Sequence, residues 1–133
     1  MAIGVWEPGK KQEPAQEVEL QQLQRFIRIA RDDRLGELDT ALDPDDLRRG
    51  AALMKLEQAS WSVAQELSSE ELELLIRFFT RAEMDLPGWE GGKQSPVIWL
   101  VRILRERDLF TAELRRWIKA NSDNRYLPYG SVL

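Results

Sequence analysis

The residues best placed to do chemistry lie in the glycine-rich segment 85–94 and at the start of the apolar stretch that follows it. The candidate residues of an anion or ligand loop are Trp89, Gly91, Gly92, Lys93 and Ser95. Free backbone N–H groups and the dipole at a helix start favour an anion. The alternative is a plain turn in which Ser95 caps the helix and Trp89 packs on the surface.

The same segment is similar to a phosphate-binding loop only in part. Gly88 precedes Gly92 and Lys93 at a spacing one residue too short, and Gln94 stands where serine or threonine should follow the lysine. No strand pattern precedes the segment, as that loop requires. The sequence therefore does not indicate nucleotide hydrolysis.

The chain contains no cysteine and no histidine. It therefore lacks a thiolate nucleophile, the commonest general base and the commonest transition-metal ligand. A calcium loop counted from Asp39 also fails, because Pro44 and Gly50 replace the glycine and the glutamate that it needs. We expect a protein that is not an enzyme, with no metal and no cofactor.

Length and composition indicate one globular domain: 133 residues, 43% hydrophobic and 32% charged. We expect residues 1–14 to be a flexible N-terminal lead-in. Residues 15–133 should form a single helical domain whose C-terminal tail packs back on it. There is no secretory signal pattern, and no stretch approaches the roughly 20 apolar residues that a membrane span needs. We therefore expect a cytoplasmic protein that does not enter a membrane.

The stretch 95–104 is apolar in every direction, and Arg102 is its only charged residue. A helix of this kind must be surrounded by other elements. The sequence therefore predicts an all-α fold, a compact bundle of about five helices packed around a buried central helix at about 96–107.

Hydrophobic periodicity places the other helices at about 15–35, 44–66, 69–84 and 112–121. Asp43 and Pro44 are typical of a helix start, and the sequence from Ser68 to Glu71 is a capping box. The helix at 44–66 has two apolar faces. One packs in the domain, and the other either packs in a second layer or meets a partner through Ala52, Leu53, Leu56 and Val63.

Charge is unevenly distributed along the chain. Residues 1–92 hold 11 Lys and Arg against 19 Asp and Glu, whereas residues 93–133 hold 8 against 4. The candidate basic face consists of Arg102, Arg105, Arg115, Arg116 and Lys119. A helix-turn-helix is disfavoured, because the turn lacks its usual glycine and the chain is acidic overall.

These observations favour a non-enzymatic cytoplasmic module for protein interaction or regulation, with a protein partner or self-association. An acidic inhibitor or immunity-type protein is one specific form of this hypothesis. Nucleic-acid binding through the basic C-terminal helices is the less favoured alternative. Binding of a small anion or metabolite at the glycine-rich loop is the second alternative.

Overall fold

The computed structural model describes residues 17–124, 126 and 127. These residues form helices and contain no strand, which confirms the predicted all-α fold. The α-helices are α1 (Leu20–Arg31), α2 (Leu38–Ala41), α3 (Pro44–Leu53), α4 (Ser69–Asp85), α5 (Pro96–Glu106) and α6 (Ala112–Asn121), and the 3₁₀ helices are Leu35–Glu37, Gln58–Glu66 and Gly92–Gln94. None of the helices in this part of the chain is both long and apolar enough to cross a membrane. The predicted lead-in at 1–14 lies outside the described residues.

Helix α5 is the buried helix that the apolar stretch predicts. Most of its side chains are buried, including Val97, Ile98, Leu100 and Val101. It packs against α4 and the 3₁₀ helix Gln58–Glu66, and α4 in turn packs against α1, α2 and α6. The core therefore lies around α4 and α5, with the other helices covering it.

Helices α3 and α4 begin at the predicted capping residues. The Asp43 side chain accepts a hydrogen bond from the N–H of Asp46 at 2.7 Å, and the Ser68 hydroxyl accepts one from the N–H of Glu71 at 3.1 Å. In both helices the third residue bonds back to the backbone N–H of the cap. This reciprocal pairing satisfies donors that a helix start otherwise leaves free.

The predicted helix at 15–35 is too long. Helix α1 ends at Arg31, and Asp33 adopts a φ of 60°, which breaks the helix. The chain then forms a 3₁₀ turn and the short helix α2, which the sequence pattern did not predict. Leu38 in α2 and Leu42 directly after it are buried in the core.

The prediction of one continuous helix at 44–66 is wrong. Helix α3 ends at Leu53, and the chain continues through a turn into the 3₁₀ helix Gln58–Glu66, which is kinked at Trp61. Trp61, Ala64 and Leu67 are all buried and lie three residues apart. A 3₁₀ helix has three residues per turn and aligns Trp61 with Ala64, whereas an α-helix would rotate one from the other by about 60°, and Leu67 follows directly after the helix.

Trp89 lies in the core, so the expectation that it packs on the surface is wrong. Its side chain is only 1% exposed, and its ring centroid lies 6.3 Å from that of Phe26 and 6.1 Å from that of Phe78. A Cβ atom at Gly50 would overlap the indole ring. Gly50 therefore permits the close approach of α3 to the loop after α4.

We expect Gly50→Ala to lower the free energy of unfolding by about 1–2 kcal/mol. Displacement of the Trp89 ring by the added methyl group should cost about 2–3 kcal/mol, and the preference of a helix for alanine over glycine offsets about 1 kcal/mol of it. Denaturant unfolding measures the effect. Gly36→Ala is the matched control, since no atom lies within 4 Å of the added carbon. Equal destabilisation by both substitutions would contradict this account.

Candidate functional site

A groove of about 420 Å³ lies between the 3₁₀ helix Gln58–Glu66 and α5. Its volume is in the range of ligand-binding clefts. No charged side chain lines it. The lining residues are Gln58, Ala59, Trp61, Ser62, Gln65, Trp99 and Ile103, and we call this site the indole groove.

Two aromatic side chains form the walls of the indole groove. Trp61 comes from the 3₁₀ helix and is fixed in the core by an edge-to-face contact with Phe79, at 5.4 Å between ring centroids. Trp99 comes from α5, and the Arg102 guanidinium lies 5.1 Å from its ring centroid. Arg102 also donates a hydrogen bond of 2.9 Å to Gln58 Oε1, which joins the two walls.

Both indole N–H groups of this groove are buried without a hydrogen-bond acceptor in the described part of the chain. They are the Nε1 atoms of Trp61 and Trp99. Buried indole N–H groups usually have an acceptor, and an exception requires an explanation. Both exceptions belong to residues that line one groove.

The residues predicted to form an anion loop do not converge on a common point. Trp89 is in the core, and Ser95 is completely buried. The Ser95 hydroxyl donates to Glu83 Oε2, and the Gly91 N–H donates to Glu83 Oε1 at 3.2 Å. Lys93 is exposed to solvent. Two of the donors on which an anion site would depend, the Gly91 N–H and the Ser95 hydroxyl, are therefore bonded to a carboxyl group of the protein itself.

Glu83 is the centre of a buried polar cluster that the sequence analysis missed. The residue is 8% exposed, and its Oε1 also accepts from Asn124 Nδ2 at 3.1 Å. The same Asn124 amide donates to the carbonyl of Gly92 at 3.0 Å. We call Glu83, Gly91, Ser95 and Asn124 the Glu83 cluster. One signal could have revealed it: Glu83 lies four residues after Phe79, on the core face of α4.

Burial raises the pKa of Glu83 above its ordinary value, because a charged carboxylate loses its hydration there. The hydrogen bonds from Ser95, Gly91 and Asn124 act in the opposite direction and offset part of this effect. The nearby charge of Asp123 raises the pKa further. In the described residues no three His, Cys, Asp or Glu side chains are grouped so that they could hold a metal ion.

The five residues of the predicted basic face do not form one surface. Arg105 and Arg115 line a common groove of about 360 Å³ at the start of α6, together with Asp108 and Phe110. We call this the basic groove. Arg102 lies instead against Trp99 at the indole groove. The remaining two residues are exposed on α6 but do not line the basic groove: Arg116 and Lys119.

The predicted partner face is also divided. Ala52, Leu53 and Leu56 line a third groove, of about 340 Å³, next to Glu17 at the start of the described chain. Val63 lies on the 3₁₀ helix and packs against the core. The break between α3 and this 3₁₀ helix is the reason, because it removes the common helical face.

Few large apolar side chains are exposed on the described surface. They are Met84, at 49%, and Leu109, at 52%. Neither residue lies in the grooves described above. Of the predicted C-terminal tail, Leu127 is buried, and residues 128–133 lie outside the described part.

We expect Ser95→Ala to lower the free energy of unfolding by about 2 kcal/mol or more. It removes the N-cap of α5, worth about 1 kcal/mol, and a hydrogen bond to a buried carboxyl group. Thr111→Ala removes only an exposed cap, the acceptor of the Leu114 N–H, and should cost about 1 kcal/mol. Denaturant unfolding of both variants measures the difference, and equal losses would count against the Glu83 cluster as a stabilising unit.

Comparisons of the chain with protein-family models, with curated proteins and with solved structures find no match. The function therefore has to be inferred from the geometry of the chain itself. Among the sites found in the described residues, the indole groove is the one with buried hydrogen-bond donors that have no acceptor.

Proposed function

We propose that this protein is a non-enzymatic cytoplasmic interaction module that binds a polypeptide segment of a partner protein in the indole groove. The observation that carries the proposal is the pair of buried indole N–H groups, of Trp61 and Trp99, without acceptors. Backbone carbonyl groups of an extended segment are strong acceptors and recur along it at regular spacing.

The chemistry of the lining favours an uncharged segment with an apolar side chain. Ala59, Ile103 and the indole rings provide an apolar surface. The amide of Gln65 and the hydroxyl of Ser62 can both donate and accept hydrogen bonds, as a peptide backbone requires. No charged side chain is among the lining residues, and the Arg102 guanidinium beside the groove is engaged with Gln58 and the Trp99 ring.

The same lining supports binding rather than catalysis. General acid–base or nucleophilic chemistry needs a titratable or activated group that reaches the substrate. The indole groove offers indoles, amides, aliphatic groups and one hydroxyl, and no base contacts the Ser62 hydroxyl among the hydrogen bonds of the described residues. A partner protein is therefore a better ligand for this groove than a substrate.

The narrower hypothesis of an acidic inhibitor receives less support. Several acids of the N-terminal two thirds are already paired with arginines of the same chain. These ion pairs include Asp46 with Arg25, Glu70 with Arg31, Glu37 with Arg34 and Glu73 with Arg77. Exposed pairs of this kind are weak, yet they reduce the negative field available to a basic partner.

Nucleic-acid binding remains a second candidate because Arg105 and Arg115 line the same basic groove. Neither guanidinium forms an ion pair with an acid among the described residues. Two cations in one groove suit a phosphate backbone. Asp108 lines the groove too and weakens its positive potential, so this candidate stays behind the indole groove.

The first proposal predicts that a random library of 12-residue peptides, displayed on phage and selected on the full chain, yields uncharged peptides with a large apolar residue. Trp99→Phe keeps an aromatic ring but removes one N–H donor. It should weaken binding of the selected peptides about tenfold, which corresponds to about 1.4 kcal/mol. Isothermal titration calorimetry with synthetic peptides measures the change.

Trp117→Phe is the control for this experiment. Trp117 lies on α6 beneath the Arg77 guanidinium, 4.7 Å from its ring centroid, and does not line the indole groove. Its substitution should change the affinity less than twofold. A failure to enrich any peptide, or peptides that bind Trp99→Phe as tightly as the natural chain, would refute the proposal.

The second candidate predicts retention on heparin at low ionic strength. The double variant Arg105→Gln and Arg115→Gln should elute at lower salt, with the salt slope reduced by about two counterions. A control with the same change in net charge is Arg31→Gln and Arg34→Gln, because both arginines lie outside the basic groove. Equal elution of the two variants, or no retention of the natural chain, would rule out this groove.

A further inference from the structure

The 3₁₀ helix Gln58–Glu66, which forms one wall of the indole groove, is held differently at its two ends. At its end, the Arg107 guanidinium donates to the carbonyls of Gln65 and Leu67, each at 3.0 Å. The same guanidinium donates to the Ser69 hydroxyl at 3.1 Å. Because Arg107 is the C-cap residue of α5, these three hydrogen bonds fix the end of the 3₁₀ helix to α5.

The start of this 3₁₀ helix depends on weaker support. Its N-cap residue, Glu57, makes no side-chain capping hydrogen bond. A backbone hydrogen bond of 3.1 Å from the Val18 N–H to the Ser60 carbonyl joins it to the segment before α1. The hydrogen bond of 2.9 Å from Arg102 to Gln58 Oε1 joins it to α5. This last bond spans the indole groove, because its two residues belong to opposite walls.

A kink at Trp61 lies between these two ends. The backbone angles of Trp61, φ −101° and ψ 16°, are not helical and interrupt the 3₁₀ helix. Its ring is fixed in the core against Phe79. Residues 58–60 can therefore change position about Trp61 without displacing the half of the helix that Arg107 holds.

Arg102 lies over the second indole of the groove. Its guanidinium is 5.1 Å from the centroid of the Trp99 ring while it donates to Gln58. The Trp99 side chain is partly exposed and lines the groove, yet its Nε1 atom is buried. A ligand in the closed groove thus contacts the Trp99 ring and does not reach its N–H.

We propose that the Arg102–Gln58 hydrogen bond, which we call the strap, closes the indole groove, and that a partner segment reaches the Trp99 N–H only after residues 58–60 move away from α5. This movement breaks the strap and leaves the hydrogen bonds of Arg107 in place. Water replaces the broken bond, because Gln58 is exposed and Arg102 is partly exposed. The strap therefore sets the population of the open groove. That a partner segment is the ligand rests on the proposed function, whereas the opening itself does not.

Deuterium exchange of the Trp99 indole N–H, followed by nitrogen-15 NMR of the full chain, tests the strap without a ligand. Gln58→Ala removes the acceptor of Arg102. Exchange should become about three- to tenfold faster, since loss of one exposed hydrogen bond changes an opening equilibrium by that order. Low concentrations of urea should leave the rate nearly unchanged, because local opening exposes little surface, whereas exchange through global unfolding would accelerate.

Gln65→Ala is the matched control for Gln58→Ala. Gln65 is also an exposed glutamine that lines the indole groove, and its backbone carbonyl, which Arg107 binds, is retained. Its side chain forms no hydrogen bond with Arg102, so exchange of the Trp99 indole should change by less than about twofold. Equal acceleration by both substitutions, or an unchanged rate in Gln58→Ala, would overturn the proposal.

Gln58→Glu should change the rate in the opposite direction. Its carboxylate keeps an acceptor for Arg102 and adds a charge, and hydrogen bonds between charged groups are stronger. Exchange of the Trp99 indole should be slower than in the natural chain at low ionic strength, and added salt should reduce the difference. Faster exchange than in the natural chain would count against the strap.

The association rate of the selected peptides connects the strap with binding. Gln58→Ala should raise this rate by the same factor as the indole exchange rate, because both depend on the population of the open groove. If indole exchange responds to Gln58→Ala and no peptide binds, the proposed function fails and the strap does not. If peptides bind and indole exchange does not respond, the strap alone fails.

Discussion

The indole of Trp89 enters the core from the loop between α4 and α5, and the packing of the other helices depends on its position. The ring lies against the backbone of Gly50 on α3 and against the edges of Phe26 on α1 and Phe78 on α4. A loop residue thus fills the space where three helices meet. Because interiors are close-packed, a shift of this ring removes a contact that those three helices share.

The loop that carries Trp89 is fixed from its polar side by a second interaction. Glu83 accepts hydrogen bonds from the loop, from the start of α5 and from the segment after α6. Burial of a carboxyl group without partners would be costly, and these three donors reduce that cost. The loop between α4 and α5 is therefore fixed both by the packing of Trp89 and by the hydrogen bonds to Glu83. These two interactions determine where α5 begins. One turn later that helix presents Trp99 to the indole groove.

Sequence patterns were sufficient for the elements whose start and periodicity are local. The capping residues Asp43 and Ser68 and the apolar stretch of α5 gave correct helix starts, because these signals depend on neighbours within a single turn. The division of 44–66 into α3 and a 3₁₀ helix was missed, since no glycine or proline marks the break at 54–57. The three-residue spacing of Trp61, Ala64 and Leu67 could have indicated the 3₁₀ helix, because that spacing matches its three residues per turn.

The candidate site could not have been predicted, because it depends on contacts between segments distant in sequence. Trp61 and Trp99 are 38 positions apart, and they face one groove only because the 3₁₀ helix packs on α5. The composition of the glycine-rich loop predicted an anion site. In the structure the Gly91 N–H and the Ser95 hydroxyl donate to Glu83 instead, and these hydrogen bonds stabilise the fold.

The two polar arrangements of the core differ in how completely their hydrogen-bonding groups are satisfied. The Glu83 cluster contains a buried carboxyl group, and both of its oxygens accept hydrogen bonds from the protein itself. The indoles of Trp61 and Trp99 are chemically mild, yet their donors lack acceptors in the described chain. Folding alone accounts for the first arrangement. The second arrangement leaves two buried donors without an acceptor in the described chain, which is an energetic cost to the fold.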